Sequence, residues 1–172
     1  MTPVIGIVGW KNSGKTTLTV RLVEEFTKRG LKVSTVKHAH HNFAVDEGTA
    51  DSARHRSAGA GEVALVSKNR WALMHELTNE EEPPLAEILE KLAPCDVVII
   101  EGFKREGHPK IEMIRRGTTS DKPLWPDDPS IVAIASDEPI ENCPLPIFKS
   151  DAVRSIADFL AQDKLADRHV AE

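Results

Sequence analysis

Four residues near the amino terminus have the types and spacing of a phosphate-binding loop. Residues 9–16 read GWKNSGKT, in which Gly9, Gly14, Lys15 and Thr16 fit the pattern G-x-x-x-x-G-K-[ST]. Glycines let the backbone curl so that its N–H groups point at an anion, and the start of a following helix adds partial positive charge. The lysine would bridge the β- and γ-phosphates of a nucleotide, and the threonine hydroxyl would bind Mg²⁺. The nucleotide-binding residues predicted in this stretch are Gly9, Asn12, Ser13, Gly14, Lys15, Thr16 and Thr17.

Two acids border an apolar run at residues 96–101, DVVIIE. A strand rises about 3.3 Å per residue, so Asp96 and Glu101 would lie about 16 Å apart at its two ends. Ligands of an open parallel sheet bind at the carboxyl ends of the strands. We therefore predict that Glu101, together with Thr16, holds Mg²⁺ or its bound water, and that Asp96 is a surface acid. Gly102 follows directly, and its bare backbone would allow a close approach to the γ-phosphate.

The run IVAIASD ends a predicted strand, 131–135, and closes with Asp137. A carboxylate there can accept hydrogen bonds from both the N1–H and the 2-amino group of guanine. Adenine offers an acceptor at N1, which would leave the carboxylate without that bond. We therefore predict GTP as the nucleotide. The N-K-x-D string of many GTPases is absent, and an aspartate that caps the following turn remains the alternative.

The stretch at residues 36–60 is rich in histidine and charge. Its histidines would be metal ligands, ordinary loop residues or contacts to phosphate or a partner; the HxHH spacing is not a standard zinc pattern, and no cysteine supports it. Asp46 and Asp51 would orient the attacking water or support the metal, or else cap a helix. The histidines concerned are His38, His40, His41 and His55.

Strands and helices alternate along the chain. An apolar strand at 4–8 is followed by a helix from Thr16 whose apolar residues share one face, and Gly30 is placed to end it. We predict an α/β fold, a three-layer P-loop NTPase with a mostly parallel sheet and an antiparallel hairpin at one edge. Residues 117–130 are predicted to form a mobile loop. The other predicted strands are 31–37, 95–100, 110–115, 131–135 and 146–148, the hairpin strands are 62–67 and 70–77, and the other helices are 49–59, one opened by Pro83-Pro84, and 151–161.

Length and composition favour a single domain over residues 1–172. The net charge of −5 argues against a nucleic-acid or membrane-surface binder. Cys95 and Cys143 have no metal-ligand spacing, and the expected compartment is a reducing cytosol. The sequence shows no secretory signal and no apolar run of about 18 residues.

Several motifs of the chain, and the order in which they occur, resemble those of the MobB family of molybdopterin-guanine dinucleotide biosynthesis adapter proteins. The P-loop alone occurs in many families, whereas the ordered set is specific and spans residues 4 to about 140. One segment, DEGTADS, lacks the Pro-Gly-Lys of the DKPGKDS often found in this family. The matching pieces are GWKNSGKTTL, VKHAHH with Asp46 and the DS at 51–52, RHRSAGA, RWALM, EGFK, and VAIASD followed by PI.

The resemblance implies a GTP-binding protein of the molybdenum cofactor pathway, similar in fold to dimeric metal-insertion GTPases. It implies a homodimer that assists a MobA-type guanylyltransferase, which attaches GMP to molybdopterin, with molybdopterin itself as a further candidate ligand. The P-loop residues, Glu101 and Asp137 keep the roles given above.

Hydrolysis is expected to be slow. Phe103 and Lys104 follow the Glu101-Gly102 turn, where a water-positioning glutamine would be sought. Lys104 is a candidate to supply positive charge in catalysis, alongside Asp46 and Asp51. Turnover near about 1 s⁻¹ without a partner would contradict this hypothesis. Two other classes remain open: a small-molecule kinase, tested by competition of ATP against GTP, and a metallochaperone GTPase, tested by nickel and zinc dialysis.

Overall fold

The chain divides into two compact units, one formed by Met1–His38 with Leu92–Glu172 and the other by Ala39–Lys91. The structure, a computed structural model, describes residues 2–39, Asp46, 50–115 and 122–163. The prediction of one P-loop domain over the whole chain stays a prediction. The strands are β1 (Val4–Gly9), β2 (Val33–Lys37), β3 (Glu62–Val66), β4 (Trp71–His75), β5 (Val97–Glu101), β6 (Lys110–Ile114), β7 (Ile131–Ser136) and β8 (Ile147–Phe148). The helices are α1 (Lys15–Lys28), α2 (Asp51–Ser57), α3 (Leu85–Glu90) and α4 (Val153–Asp163).

The first unit is built on a six-stranded sheet in the order β2-β5-β1-β6-β7-β8, and all of its strand pairs are parallel. The predicted α/β class with a mostly parallel sheet is confirmed. The described elements begin and end within two residues of their predicted bounds. Because parallel strands end at a common edge, the residues after β1, β5 and β7 are brought to one side of the sheet.

Helices α1 and α4 cover one face of this sheet. Leu22 and Phe26 of α1 and Leu160 of α4 are fully buried in one core with β1, β5 and β6. Each such side chain stabilises the fold by about 1.5–3 kcal/mol relative to exposure. This packing fixes the start of α1 against the end of β1, where the phosphate-binding loop lies.

The opposite face carries two buried charges on β6. Lys110 donates to Asp128 Oδ2 at 2.9 Å and to Ser130 Oγ at 2.5 Å. The two carboxylate oxygens of Glu112 accept the backbone N–H groups of Leu124 and Trp125 at 2.8 and 2.9 Å. Residues 122–130 are therefore anchored on the sheet, which differs from the mobile loop predicted for 117–130, and residues 116–121 lie outside the described part.

The second unit contains α2, α3 and the hairpin of β3 and β4. The hairpin is antiparallel as predicted, with Val66 opposite Trp71 and Glu62 opposite His75. The sequence predicts that this hairpin pairs with an outer strand of the main sheet. In the structure β3 and β4 instead form a separate two-stranded sheet. No helix in the described ranges has the length and apolar character that a membrane crossing requires.

Candidate functional site

The loop between β1 and α1 has a backbone that only glycine allows at two positions. Gly9 has φ +143° and Gly14 has φ +99°. A Cβ at Gly9 would collide with the carbonyl oxygen of Met113 on β6, and side chains rarely adopt either conformation. Met113 and Gly9 are neighbours in the register of β1 and β6. The start of the loop therefore packs closely against β6 of the sheet.

Two polar side chains of this loop, those of Lys15 and Ser13, are placed where an anion could bind. Lys15 Nζ donates to the carbonyl oxygen of Trp10 in the same loop at 2.6 Å. The hydroxyl of Ser13 is buried and has no hydrogen-bond partner among the described residues. Burial lowers the pKa of Lys15, and Lys104 and Lys37 lower it further, while Glu101 acts in the opposite direction. A half-buried ammonium group near like charges and a buried, unpaired hydroxyl fit a phosphate chain.

The structure brings the two predicted Mg²⁺ ligands together. Thr16 Oγ1 donates to Glu101 Oε1 at 2.7 Å, and Glu101 is buried at the end of β5. Hydroxyl and carboxylate oxygens are the donors that Mg²⁺ prefers, so this pair fits the metal. Asp96 precedes the opposite end of β5, and its Oδ2 accepts the N–H of Lys32 at 2.8 Å. Asp96 and Glu101 thus lie at opposite ends of β5, as the strand rise predicts.

Two further lysines face this region. Lys37 Nζ lies 3.3 Å from Glu101 Oε1. Lys104 Nζ lies 4.2 Å from the centroid of the Trp10 ring, a cation–π arrangement. Burial lowers the pKa of Lys104, while the nearby Glu112 carboxylate opposes that change. Lys104 is therefore at the phosphate loop, and its predicted catalytic role stays a prediction.

The turn after β5 is shaped by contacts with the end of β2. Gly102 has φ +99°, and a Cβ there would lie 2.9 Å from the Cβ of His38. Its N–H donates to the carbonyl oxygen of Ile7 at 3.1 Å, and His38 N–H donates to Glu101 O at 2.9 Å. The rings of His38 and Phe103 stack with centroids 4.6 Å apart. The glycine is thus required by packing, and its approach to a γ-phosphate stays a prediction.

Asp137 lies after β7, at the same edge of the sheet as the phosphate loop. In the order β1-β6-β7 it is two strand spacings, about 10 Å, from the end of β1. Its side chain is exposed, and Oδ1 accepts the N–H of Ser150 at 3.1 Å and the hydroxyl of Ser150 at 2.6 Å. These two bonds hold the pKa of Asp137 below its usual value. The position fits a base contact beside a triphosphate.

The other predicted catalytic acids belong to the second unit. Asp46 is buried and forms a short ion pair with Arg56, whose Nη1 also lies 3.2 Å from Glu76 Oε1. The hydrogen bond from the Ser52 hydroxyl lowers the pKa of Asp46 most, and Arg56 lowers it further. Asp51 is exposed in the first turn of α2, where an acid complements the helix dipole. Catalytic roles for Asp46 and Asp51 stay predictions.

The histidines divide between the two units. His38 stacks on Phe103 in the first unit, and His55 is exposed on α2 in the second. His40 and His41 lie outside the described residues. Within the described ranges no group of three or more His, Cys, Asp or Glu side chains is arranged to hold a metal ion.

Three contacts at the site were not anticipated. They are the ion pair of Lys37 with Glu101, the two bonds from Ser150 to Asp137, and the bond from Trp10 Nε1 to Lys122 O at 2.7 Å. Lys37 ends the predicted strand 31–37 and Glu101 directly follows the predicted strand 95–100. Their shared position at the carboxyl ends of strands could have indicated that the two side chains meet. The partners of Ser150 and Trp10 depend on segments far apart in sequence, for which the sequence gives no signal.

Comparisons with known proteins agree with this geometry. Residues 4–137 match the family model described as "MobB: Molybdopterin guanine dinucleotide synthesis protein B". The chain is similar to the molybdopterin-guanine dinucleotide biosynthesis adapter protein of Escherichia coli (strain K12), with 34% identity over 94% of this chain and 93% of that protein. It is 38% identical to the Haemophilus influenzae protein of the same description, over 92% of this chain and 87% of the relative.

Solved structures give the same result. A crystal structure of molybdopterin-guanine biosynthesis protein B matches with a TM-score of 0.69 and 30% identity, over 92% of this chain and 98% of that one. The MobB homologue from Bacillus stearothermophilus matches with a TM-score of 0.70 and 27% identity, over 96% and 99%.

Proposed function

The chain belongs to the MobB family, molybdopterin guanine dinucleotide synthesis protein B, and from this premise we propose that it is a GTP-binding protein with weak GTPase activity that supports the attachment of GMP to molybdopterin. The descriptions of its relatives support a role in molybdenum cofactor biosynthesis. GTP and Mg²⁺ are the proposed ligands.

The contact between Thr16 and Glu101 carries the proposal. An oxygen pair 2.7 Å apart, beside the Lys15 ammonium and the unpaired Ser13 hydroxyl, fits a metal-bound phosphate chain. The N–H groups at the start of α1 and Lys15 would bind phosphate oxygens. Mg²⁺ supplies positive charge that neutralises the phosphates when it is bound.

Guanine recognition is proposed from Asp137. Oδ1 is held by Ser150, so the carboxylate has a fixed orientation at the edge of the sheet. A carboxylate accepts hydrogen bonds from guanine N1–H and its 2-amino group, which adenine does not offer together. The nucleotide would therefore extend from Asp137 across the end of β1.

The side chains after β5 support the proposal that hydrolysis is slow. Phe103 stacks on His38, and Lys104 lies over Trp10, so neither supplies the amide that orients water in many GTPases. We propose that binding a partner is the main task. The proposed partner is a MobA-type guanylyltransferase, with molybdopterin as a further candidate ligand and the cytoplasm as the compartment.

A homodimer is proposed on the exposed hairpin. Val66 and Trp71 are paired across β3 and β4, and their relative exposures are 80% and 72%. Large exposed apolar side chains on one sheet face are typical of protein interfaces.

Substitution of Lys15 tests the phosphate site. We expect Lys15→Ala to raise the dissociation constant for GTP by about 100-fold or more, because a partly buried charged donor to phosphate is lost. The melting temperature should change little, since Nζ donates its hydrogen bond to one loop carbonyl, that of Trp10. The measurement is fluorescence titration with a mant-labelled guanine nucleotide, with ATP as competitor.

The exposed Lys11→Ala in the same loop is the matched control and should leave GTP affinity nearly unchanged. Unaltered GTP affinity in Lys15→Ala would overturn the phosphate site. Tighter binding of ATP than of GTP would contradict the role of Asp137.

A further inference from the structure

We infer that Lys37 is a specificity residue that distinguishes GTP from GDP by contacting the terminal phosphate. This inference deepens the proposed function and rests on it. It is carried by the position of Lys37 along the sheet edge, by its ion pair with Glu101, and by its exposure.

The order of strands gives the phosphate chain a direction. Asp137 follows β7, the phosphate loop follows β1, Glu101 ends β5 and Lys37 ends β2. At the carboxyl ends of the strands the order across the sheet is β7-β6-β1-β5-β2. Lys37 and the proposed base contact, Asp137, therefore lie on opposite sides of the phosphate loop. A nucleotide whose base is at Asp137 would point its terminal phosphate toward the end of β2.

The side chain of Lys37 reaches the same side of the sheet as Thr16. Lys37 is opposite Glu101 in the register of β2 and β5, and its Nζ lies 3.3 Å from Glu101 Oε1. That same oxygen accepts the hydroxyl of Thr16 at 2.7 Å. The ammonium group is thus in direct contact with the pair that fits Mg²⁺.

Metal binding and this ion pair compete for one oxygen. If Thr16 and Glu101 held Mg²⁺ through this oxygen, the Lys37 ammonium would leave Oε1 and would need another anion. The neighbouring Lys15 and Lys104 are also cationic, and the three ammonium groups together favour additional phosphate charge. The terminal phosphate supplies the charge that GDP lacks at this position.

Lys37 is free to make this change at small cost. Its side chain is 59% exposed, whereas that of Glu101 is 9% exposed. Because the ammonium partner of this ion pair is largely solvated, the pair holds Lys37 less firmly than a fully buried pair would. A long lysine chain at the end of a fixed strand can then swing through several ångströms without backbone movement.

Separate affinities for GTP and GDP test the inference. In Mg²⁺ we expect Lys37→Met to raise the dissociation constant for GTP by about tenfold or more, as loss of a charged hydrogen bond implies, and that for GDP by less than about twofold. In EDTA the difference in GTP affinity between Lys37→Met and the parent protein should be smaller, because without metal the Lys37 ammonium of the parent protein stays paired with Glu101. Isothermal titration calorimetry on the full chain gives all of these values.

Two variants serve as controls. Lys11→Met removes one positive charge from the exposed part of the phosphate loop and should change both affinities equally or not at all. Lys37→Arg should restore the preference for GTP. Melting temperatures of all variants, expected within about 2 °C of the parent protein, exclude a folding defect.

The inference is wrong if Lys37→Met weakens GTP and GDP equally, if it has no effect, or if the parent protein binds the two nucleotides with equal affinity. A parent protein that binds no guanine nucleotide would overturn the proposed function and the inference together. GTP binding that depends on Lys15 but not on Lys37 would leave the proposed function intact and remove the inference alone.

Discussion

At the scale of single residues, Ser150 orients Asp137, the proposed guanine contact. Ser150 donates both its N–H and its hydroxyl to Oδ1, so that oxygen is engaged twice and the carboxylate plane is fixed. The proposed guanine contact would use this fixed carboxylate. Because β7 and β8 are adjacent parallel strands, the contact follows from their pairing.

Removing the serine hydroxyl should loosen this orientation. We expect Ser150→Ala to weaken GTP binding by about fivefold, the loss that follows from one modest hydrogen bond. Binding of ITP, whose base lacks the 2-amino group, should weaken less, so the ratio of the two affinities should fall. Competition against a mant-labelled nucleotide measures both. Ser155→Ala, at an exposed serine of α4, is the control, and an unchanged ratio in Ser150→Ala would contradict the positioning role.

At the scale of elements, β6 combines an apolar face with a charged one. Ile111 and Met113 belong to the core with α1, while Lys110 and Glu112 anchor residues 122–130 on the other face. Burial raises the pKa of Glu112, although the N–H groups of Leu124 and Trp125 act in the opposite direction. A strand buried on both faces thus tolerates charges because each has fixed partners.

His108 lies just before β6, and its burial predicts that it destabilises the folded protein in mild acid. Burial, and then the nearby Lys110, lowers its pKa to about 4. Neither ring nitrogen has a hydrogen-bond partner among the described residues. The folded state thus prefers the neutral ring, and between pH 6.5 and about 4 the unfolded chain binds more protons. Stability conferred by the neutral ring is therefore present above pH 6.5 and is lost as the pH falls.

We expect the contribution of His108 to the free energy of unfolding to decrease by about 1–2 kcal/mol from pH 7 to pH 5, an amount reduced by the partial exposure of the ring. The raised pKa values of His75 and Glu112 act in the opposite direction, so the contribution of His108 is the difference in pH dependence between the parent protein and His108→Gln. Urea denaturation at several pH values measures it. His108→Gln does not titrate and should show a smaller decrease. The pKa of Asp128 lies below 3.8, so its contribution is lost at lower pH and does not overlap. Equal pH dependence in both proteins would show that His108 is not the cause.

At the scale of the whole molecule, the hairpin exposes several large apolar side chains on one face. Val66, Trp71 and Leu73 are exposed by 80%, 72% and 54%. Val66 and Trp71 are directly opposite each other, and Leu73 follows Trp71 by two residues, so all three share one face. Burial of this face in a second copy would remove apolar area from water that the single chain leaves exposed.

A charge on this face should break the proposed homodimer. We expect Trp71→Glu to raise the dimer dissociation constant by about 30-fold or more, the usual loss at a central interface tryptophan. Sedimentation velocity over a concentration series measures it. Lys68→Glu, in the hairpin turn, is the control for charge alone. A dimer that persists in Trp71→Glu would exclude this face, and a monomeric parent protein would contradict the proposed dimer.

The sequence by itself determined the elements and much of the site's composition. The phosphate loop, the α/β alternation and the choice of Glu101 over Asp96 followed from local spacing, because strand rise and helix period depend on neighbours in sequence. The structure brings Thr16 to Glu101 as that spacing implied.

Only the tertiary structure decided which distant groups meet. The pairing of Lys37 with Glu101, of Ser150 with Asp137 and of Lys110 with Asp128 depends on strand order and register. The independent sheet of the hairpin likewise depends on which strand edges are available for pairing. Strand order and register are set by packing of the whole sheet, and local sequence patterns do not contain them.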